Sequence, residues 1–390
     1  MKKFVAVIML LLLLLPTQVF AAPEDWESAL ESVLNEQLDE LDLASLETVL
    51  QAIQDEYAGY IPNLDIRSVI SNLHSGGGLN PKEVLASLLR YFLSEIIGQL
   101  SLLGKLIVLA VLCALMKKMQ DSLGGDVGNV AYAICFVVLM GFTLQSFAFA
   151  IQTVSGSIRT MVGFIYSLLP VLLTLLVSMG AAGSAALFHP LITVAATTVS
   201  TIVANTVLPL LYFSGVLYLI NSFSDKLQVS KLAGLLRDIA VAVMGLSFTV
   251  FIGLSVVQGT AAGVADGIAF RTAKFAVKNF IPVVGSLFSD VFETVAGCSM
   301  LLKNGIGLVG LMTVFILCAM PALKIMVIVV IYRLAAAIIQ PMGSNPVVDA
   351  LSNLASLLTV VGAALVTVGV MLFILITIVI GTGNAALSLR

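Results

Sequence analysis

Two hydrophobic patterns divide this chain. Up to about Leu79, apolar residues recur at spacings of three and four. Trp26, Leu30, Val33, Leu34, Leu38 and Leu41 form one run, Leu46, Val49, Leu50, Ile53 and Tyr57 a second, and Ile66, Val69, Ile70 and Leu73 a third. That period predicts short amphipathic helices. Pro62 separates the second from the third, and Gly76-Gly77-Gly78 ends the third. A fourth helix has a defined start, with Asn80 as N-cap, Pro81 in the first helical position and Glu83 three residues after the cap. Its stripe, from Val84 and Leu85 through Leu88, Leu89 and Phe92 to Ile97, runs unbroken into the second pattern.

In that second pattern, apolar stretches occupy 98–116, 129–152, 161–180, 191–220, 239–258, 305–332 and 355–381. A helix needs about 20 apolar residues to cross a bilayer. The fourth and sixth stretches exceed one span and contain Pro209 and Pro321, so each reads as a broken helix or a tight hairpin. The fold class is all-α, a polytopic membrane protein of six to eight spans with a short exported N-terminal helical region. At the start, Lys2 and Lys3, the apolar run Phe4–Leu15 and the small residues before Pro23 predict a secretory signal peptide cleaved after Ala21. The expected divisions are 1–21 (signal peptide), 22–96 (exported acidic helices), 97–258 (first membrane helices), 259–304 (a central charged segment) and 305–390 (C-terminal membrane helices).

Composition agrees: 59% of residues are hydrophobic and only 11% charged, with a mean hydropathy of +1.10. A soluble domain could not bury that much apolar surface, and a disordered chain would carry far more charge. The net charge of −3 conceals an asymmetry, since twelve acidic residues and no Lys or Arg lie between Glu24 and Asp65. Those carboxylates suit a solvated face or a dock for a basic partner. A basic nucleic-acid surface is absent. Cys113, Cys135, Cys298 and Cys318 stand in apolar stretches without CxxC spacing, as buried small hydrophobes do. Lys117 and Lys118 place the loop after the first span in the cytoplasm, which matches an exported N-terminus. Lys226, Lys231 and Arg237 precede the 239–258 stretch, whereas Arg271, Lys274 and Lys278 follow it. A single span cannot put both groups on one side.

The segment 259–304 concentrates the candidate chemistry. Gly259, Gly263 and Gly267, four apart, form a smooth helical stripe for close packing. Asp266, Arg271, Lys274, Lys278, Asp290, Glu293 and Lys303 supply charges, and Lys324 and Arg333 stand alone in apolar sequence further on. Ionisable groups at membrane depth cost a few kcal/mol each, so they are paired or wet. Three readings fit: a basic amphipathic helix on lipid headgroups, an ion-pair network between helices, or a proton or substrate pathway. There is no GxxxxGK[ST], HExxH or GxSxG motif, and His74 and His189 lie far apart, the latter reading as a loop residue before Pro190. No enzymatic function, metal or cofactor is expected.

The central and C-terminal text resembles the stage III sporulation protein AE family of endospore-forming bacteria. The likeness rests on Gly263-Val264-Ala265-Asp266-Gly267, Arg271-Thr272-Ala273-Lys274 and Phe280-Ile281-Pro282-Val283-Val284-Gly285. Ser289-Asp290, Glu293-Thr294, Leu302-Lys303-Asn304 and Pro321 with Lys324 extend it. The resemblance implies a permease-like or export-gate subunit of the channel, or feeding tube, that joins mother cell and forespore. It would lie in the mother-cell-derived outer forespore membrane. Its implied partners are the other stage III A-operon proteins (an ATPase, ring-forming proteins and small membrane subunits) and stage II sporulation protein Q. The alternative is a self-sufficient secondary transporter of a small molecule, with broken helices around a buried charged site.

Overall fold

The structure, a computed structural model, describes residues 37–39, 41–61, 65–74, 81–123, 126–223, 228–280, 285–342 and 345–388. Within these, the side chains of 71–74, 81, 120–123, 126–129, 256–280, 285–296, 342, 345 and 383–388 lie outside the description. The signal peptide, the first amphipathic run up to Glu36 and the cap Asn80 lie outside the described residues.

All described elements are helical: α1 (Ala44–Glu56), α2 (Ile66–His74), α3 (Pro81–Leu123), α4 (Asp126–Ser178), α5 (Ala182–Ile202), a π turn (Val203–Val207), α6 (Leu208–Phe223), α7 (Ser230–Phe280), α8 (Gly285–Ile339), a 3-10 turn (Gln340–Met342) and α9 (Asn345–Ser388). Six helical columns among the described residues are long and apolar enough to cross a membrane. As expected, α3 starts at Pro81 and carries its stripe straight into the apolar part. The stretches 129–152 and 161–180 merge on the single 53-residue α4. Arg159 between them does not interrupt it, because Val154, Ile158, Met161 and Ile165 keep one buried face across the join. At 1.5 Å per residue α4 is about 80 Å long, far more than the roughly 30 Å of hydrocarbon in a bilayer.

The prolines bend the expectations. Pro209 has no N–H for the carbonyl of Asn205, and the helix absorbs the loss as a π turn just before it instead of reversing. Pro321 lies inside α8, which also runs through without a hairpin. His189 and Pro190 are not in a loop but within α5. There the Thr193 hydroxyl donates to the His189 carbonyl at 2.9 Å. That bond is exposed, while Phe188 and Ile192 on either side are buried and anchor the turn to its neighbours.

Connections are tight. Gly180, at φ +83°, ends α4. Its N–H and that of Ala181 return to the carbonyls of Val177 and Leu176, both at 2.9 Å, a Schellman closure that turns the chain directly into α5. Between α6 and α7, Asn221 Oδ1 accepts the backbone N–H groups of Val229 and Ser230 at 3.0 and 3.1 Å and so caps α7 from its neighbour.

Packing centres on the antiparallel pair α8–α9, with α4 against both. In the most apolar stretch of α8, 67% is buried, against 17% in α3 and 11% in α7, so α8 is the middle of the bundle. Gly369 meets Cys318, Gly362 meets Ile325, and Gly310 meets Leu168 of α4. Tyr332, fully buried, donates its phenol to the Thr143 carbonyl at 2.7 Å and ties α8 to α4.

The N-terminal helices pack on this bundle. Leu46, Leu50 and Ile53 of α1 are buried, as is Ile66 of α2, and Ile70 abuts Gly305 of α8. Ser299 donates to Gln37 Oε1 at 3.3 Å. The second layer that these amphipathic stripes require is therefore supplied by the chain itself. Arg67 pairs with Asp39 at 2.6 Å, but both side chains are more than half exposed and the pair adds little.

The two basic groups around the 239–258 stretch lie far apart. Lys231 and Arg237 lie near the start of α7, and Arg271, Lys274 and Lys278 near its end. They occupy opposite ends of one helix, about 50–70 Å apart by its rise. The start of α7 shares an end of the bundle with Lys117. Ser214 donates to the Ala233 carbonyl at 2.7 Å, Phe223 rests on Phe136, Phe136 on Tyr132, and Lys117 Nζ lies 5.3 Å from the Tyr132 ring centre.

A Cβ at Gly369 would stand 2.5 Å from Cys318 Sγ, whereas one at Gly245 would meet nothing within 4 Å. Gly369→Val is expected to cost about 2 kcal/mol and to lower the apparent melting temperature in nanodiscs. Gly245→Ala should leave it unchanged or raised.

Candidate functional site

Three sequence-singled cations can be followed on α8. Lys303 is fully buried against α9, its Nζ donating to the Ile380 carbonyl at 2.8 Å. Arg333 is exposed, beside a small cavity of about 100 Å³ between α8 and α9. Lys324 is partly buried, with Nζ 5.5 Å from the centre of the Phe149 ring on α4. At helical rise these three are about 30 and 13 Å apart, so the fold does not bring them together.

The remaining candidates sit on helical backbone but outside the described side chains. Gly259, Gly263, Asp266, Gly267, Arg271, Lys274 and Lys278 are on α7, and Asp290 and Glu293 on the start of α8. The two charged groups flank the same α7–α8 connection.

Among the described residues, Lys324 opens a polar space that joins the N-terminal helices to the long ones. Its volume is about 480 Å³. From the N-terminal side, Glu56 at the end of α1 and Tyr57 and Tyr60 in the turn after it form one wall, continued by Tyr91 of α3. The facing wall is the α4 row Gln152, Thr153, Gly156, Ser157 and Thr160. Leu317, Pro321 and Lys324 of α8 close the third side. Glycine and hydroxyl residues at spacings of three and four put that α4 row on a single face, which is why the cavity is polar within an apolar helix.

The tyrosines form an edge-on cluster, with Tyr91 ring centres 6.1 Å from Tyr57 and 5.3 Å from Tyr60. Tyr60 donates to Ser94 Oγ of α3 at 3.0 Å. Burial, then the neighbouring Glu56, pushes the Tyr57 phenol well above its ordinary range, so it stays a proton donor and is bonded to Glu56. On α4 the Thr153, Ser157 and Thr160 hydroxyls donate to the carbonyls four residues earlier, at 2.9, 2.8 and 3.2 Å. Having spent their protons, they present lone pairs to the cavity. Pro321 likewise withholds the N–H that would bond the Leu317 carbonyl.

Sequence reasoning found Lys324 and Pro321 but passed over Glu56, the tyrosines and the α4 row. The available signal was the hydroxyl and glycine spacing from Gln152 to Thr160. A second cavity, of about 390 Å³ between α5, α7 and α9, is almost wholly apolar and offers little to orient a polar guest. All four cysteines are free thiols.

Lys303 bridges α8 to a backbone carbonyl of α9, a structural role. Lys303→Met should stay within about 1 kcal/mol of wild type, whereas Lys303→Glu, setting a carboxylate on that carbonyl, should cost about 3 kcal/mol or more. Accumulation in membranes and apparent melting temperature check both.

Comparison with known proteins bears on this geometry. No solved structure matches the chain. The family model for stage III sporulation protein AE matches residues 64–383, which include α3, α4 and α8 and hence most of the cavity wall. The chain is 37% identical over 401 aligned positions to stage III sporulation protein AE of Bacillus subtilis (strain 168), covering 100% of both. With its six apolar helical columns, this chain is a multi-pass sporulation membrane protein and belongs to the stage III sporulation protein AE family.

Proposed function

We propose that the protein is the permease-like membrane subunit of the channel complex between mother cell and forespore. It lies in the mother-cell-derived outer forespore membrane with its mature N-terminus outside the cytoplasm. Its partners are the other stage III A-operon proteins, including the ATPase, the ring-forming proteins and the small membrane subunits, and stage II sporulation protein Q from the forespore side.

The observation that carries this reading is the polar cavity, walled jointly by the N-terminal helices and by α4 and α8. A partner that moves the N-terminal helices changes the cavity directly, because Glu56, Tyr57 and Tyr60 are part of its wall. The 43-residue α3 supplies the linkage, running from that wall to Lys117 without a break. A stiff helix transmits displacement where a flexible linker would absorb it.

Gentle solubilisation of sporulating cells and capture through a C-terminal tag tests the assembly. Recovery of the ATPase and the ring-forming exported proteins is expected. Recovery of the protein alone, even after crosslinking, overturns the channel reading. A Gly-Pro insertion at Ser94 tests the linkage. It should abolish spore formation while membrane insertion stays normal, and normal sporulation in that strain would refute the coupling. Ser94→Ala, which removes only the bond from Tyr60, should cost no more than about 1 kcal/mol and leave sporulation intact.

A further inference from the structure

We infer that the polar cavity is a binding site for a small zwitterion, an amino acid or a short peptide carrying both an ammonium and a carboxylate. This deepens the permease-like reading and rests on it.

The lining is sorted by chemistry. Its cation is Lys324 on α8, with no carboxylate among the described residues within ion-pair distance. Gln152 and the phenols of Tyr57 and Tyr91 can donate as well as accept, whereas the α4 hydroxyls only accept. Thr153, Ser157 and Thr160 have committed their protons to their own helix, so only lone pairs face a guest. The Leu317 carbonyl adds another acceptor. Glu56, on the wall contributed by the N-terminal helices, adds a carboxylate. A guest must therefore be rich in donors, with an ammonium near Glu56 and the hydroxyl row, and must offer one anionic group to Lys324.

A simple anion would meet one cation among many lone pairs, and a simple cation would leave Lys324 uncompensated. A zwitterion answers both ends. The volume of about 480 Å³ is in the range of small-ligand pockets and admits a dipeptide.

The test uses the full-length protein in nanodiscs. L-alanine and L-alanyl-L-alanine are titrated calorimetrically beside two blocked forms, N-acetyl-alanyl-alanine without the ammonium and alanyl-alanine amide without the carboxylate. Saturable binding of alanine or the dipeptide is expected, with each blocked form weaker by about tenfold or more. Lys324→Met should remove the preference for the free carboxylate, and Glu56→Gln that for the free ammonium. Equal binding of the acetylated form would make this an anion site, and equal binding of the amide a cation site. Either result overturns the proposal, as does absence of saturable binding by alanine and the dipeptide. The wild-type comparison decides even where a variant fails to fold. Capture of the assembly without zwitterion binding sinks this inference alone, whereas binding without capture sinks the channel reading and leaves the site standing.

Discussion

Helices surrounded by lipid gain nothing by hiding apolar side chains from one another, so they hold together only where their surfaces meet closely. The α8–α9 seam meets that constraint with glycine. At Gly369 and Gly307 the neighbouring Cys318 and Ile380 occupy the space where a Cβ would stand. The seam makes α8 the buried axis, and α4, α3 and the N-terminal helices take their places around it. Polar bonds act as rivets at few points, with Tyr332 joined to the Thr143 carbonyl and Lys303 to that of Ile380.

That axis also places the cavity. Because α4 lies antiparallel on α8, the hydroxyl row around Ser157 comes level with Pro321 and Lys324. The N-terminal helices then close the third side, held by Leu46, Leu50 and Ile53 beneath and by the tyrosine cluster above. A polar space results inside a chain with few charges, and its acceptors come from two ordinary features of membrane helices. Serine and threonine bond back to their own turn, and proline leaves a carbonyl without its donor.

Much of this was legible in sequence because it depends on local chemistry. Pro81 after Asn80 gives the start of α3, and runs of twenty apolar residues give spans whatever they pack against. Sequence faltered where the outcome depends on neighbours. The apolar stretches 129–152 and 161–180 read as separate, yet the buried face through Val154, Ile158 and Met161 holds α4 as one helix. His189 before Pro190 read as a loop residue and the Pro209 stretch as a broken helix or a hairpin; His189 lies within α5, and at Pro209 the helix is broken only by a π turn, not reversed. The stripe of α1 needs a surface to pack on, and only the fold shows that the chain's own bundle supplies it.

The sequence by itself determined an all-helical multi-pass membrane protein, its family and the lone cations of α8, since composition, period and motif are properties of short stretches. Only the tertiary structure decided that Lys324 shares a cavity with Glu56 and Ser157 while Lys303 serves as a buried bridge. Those residues are far apart along the chain, and their meeting depends on the register in which long helices lock. That register is set by close contacts, such as Gly369 on Cys318, which periodicity does not encode.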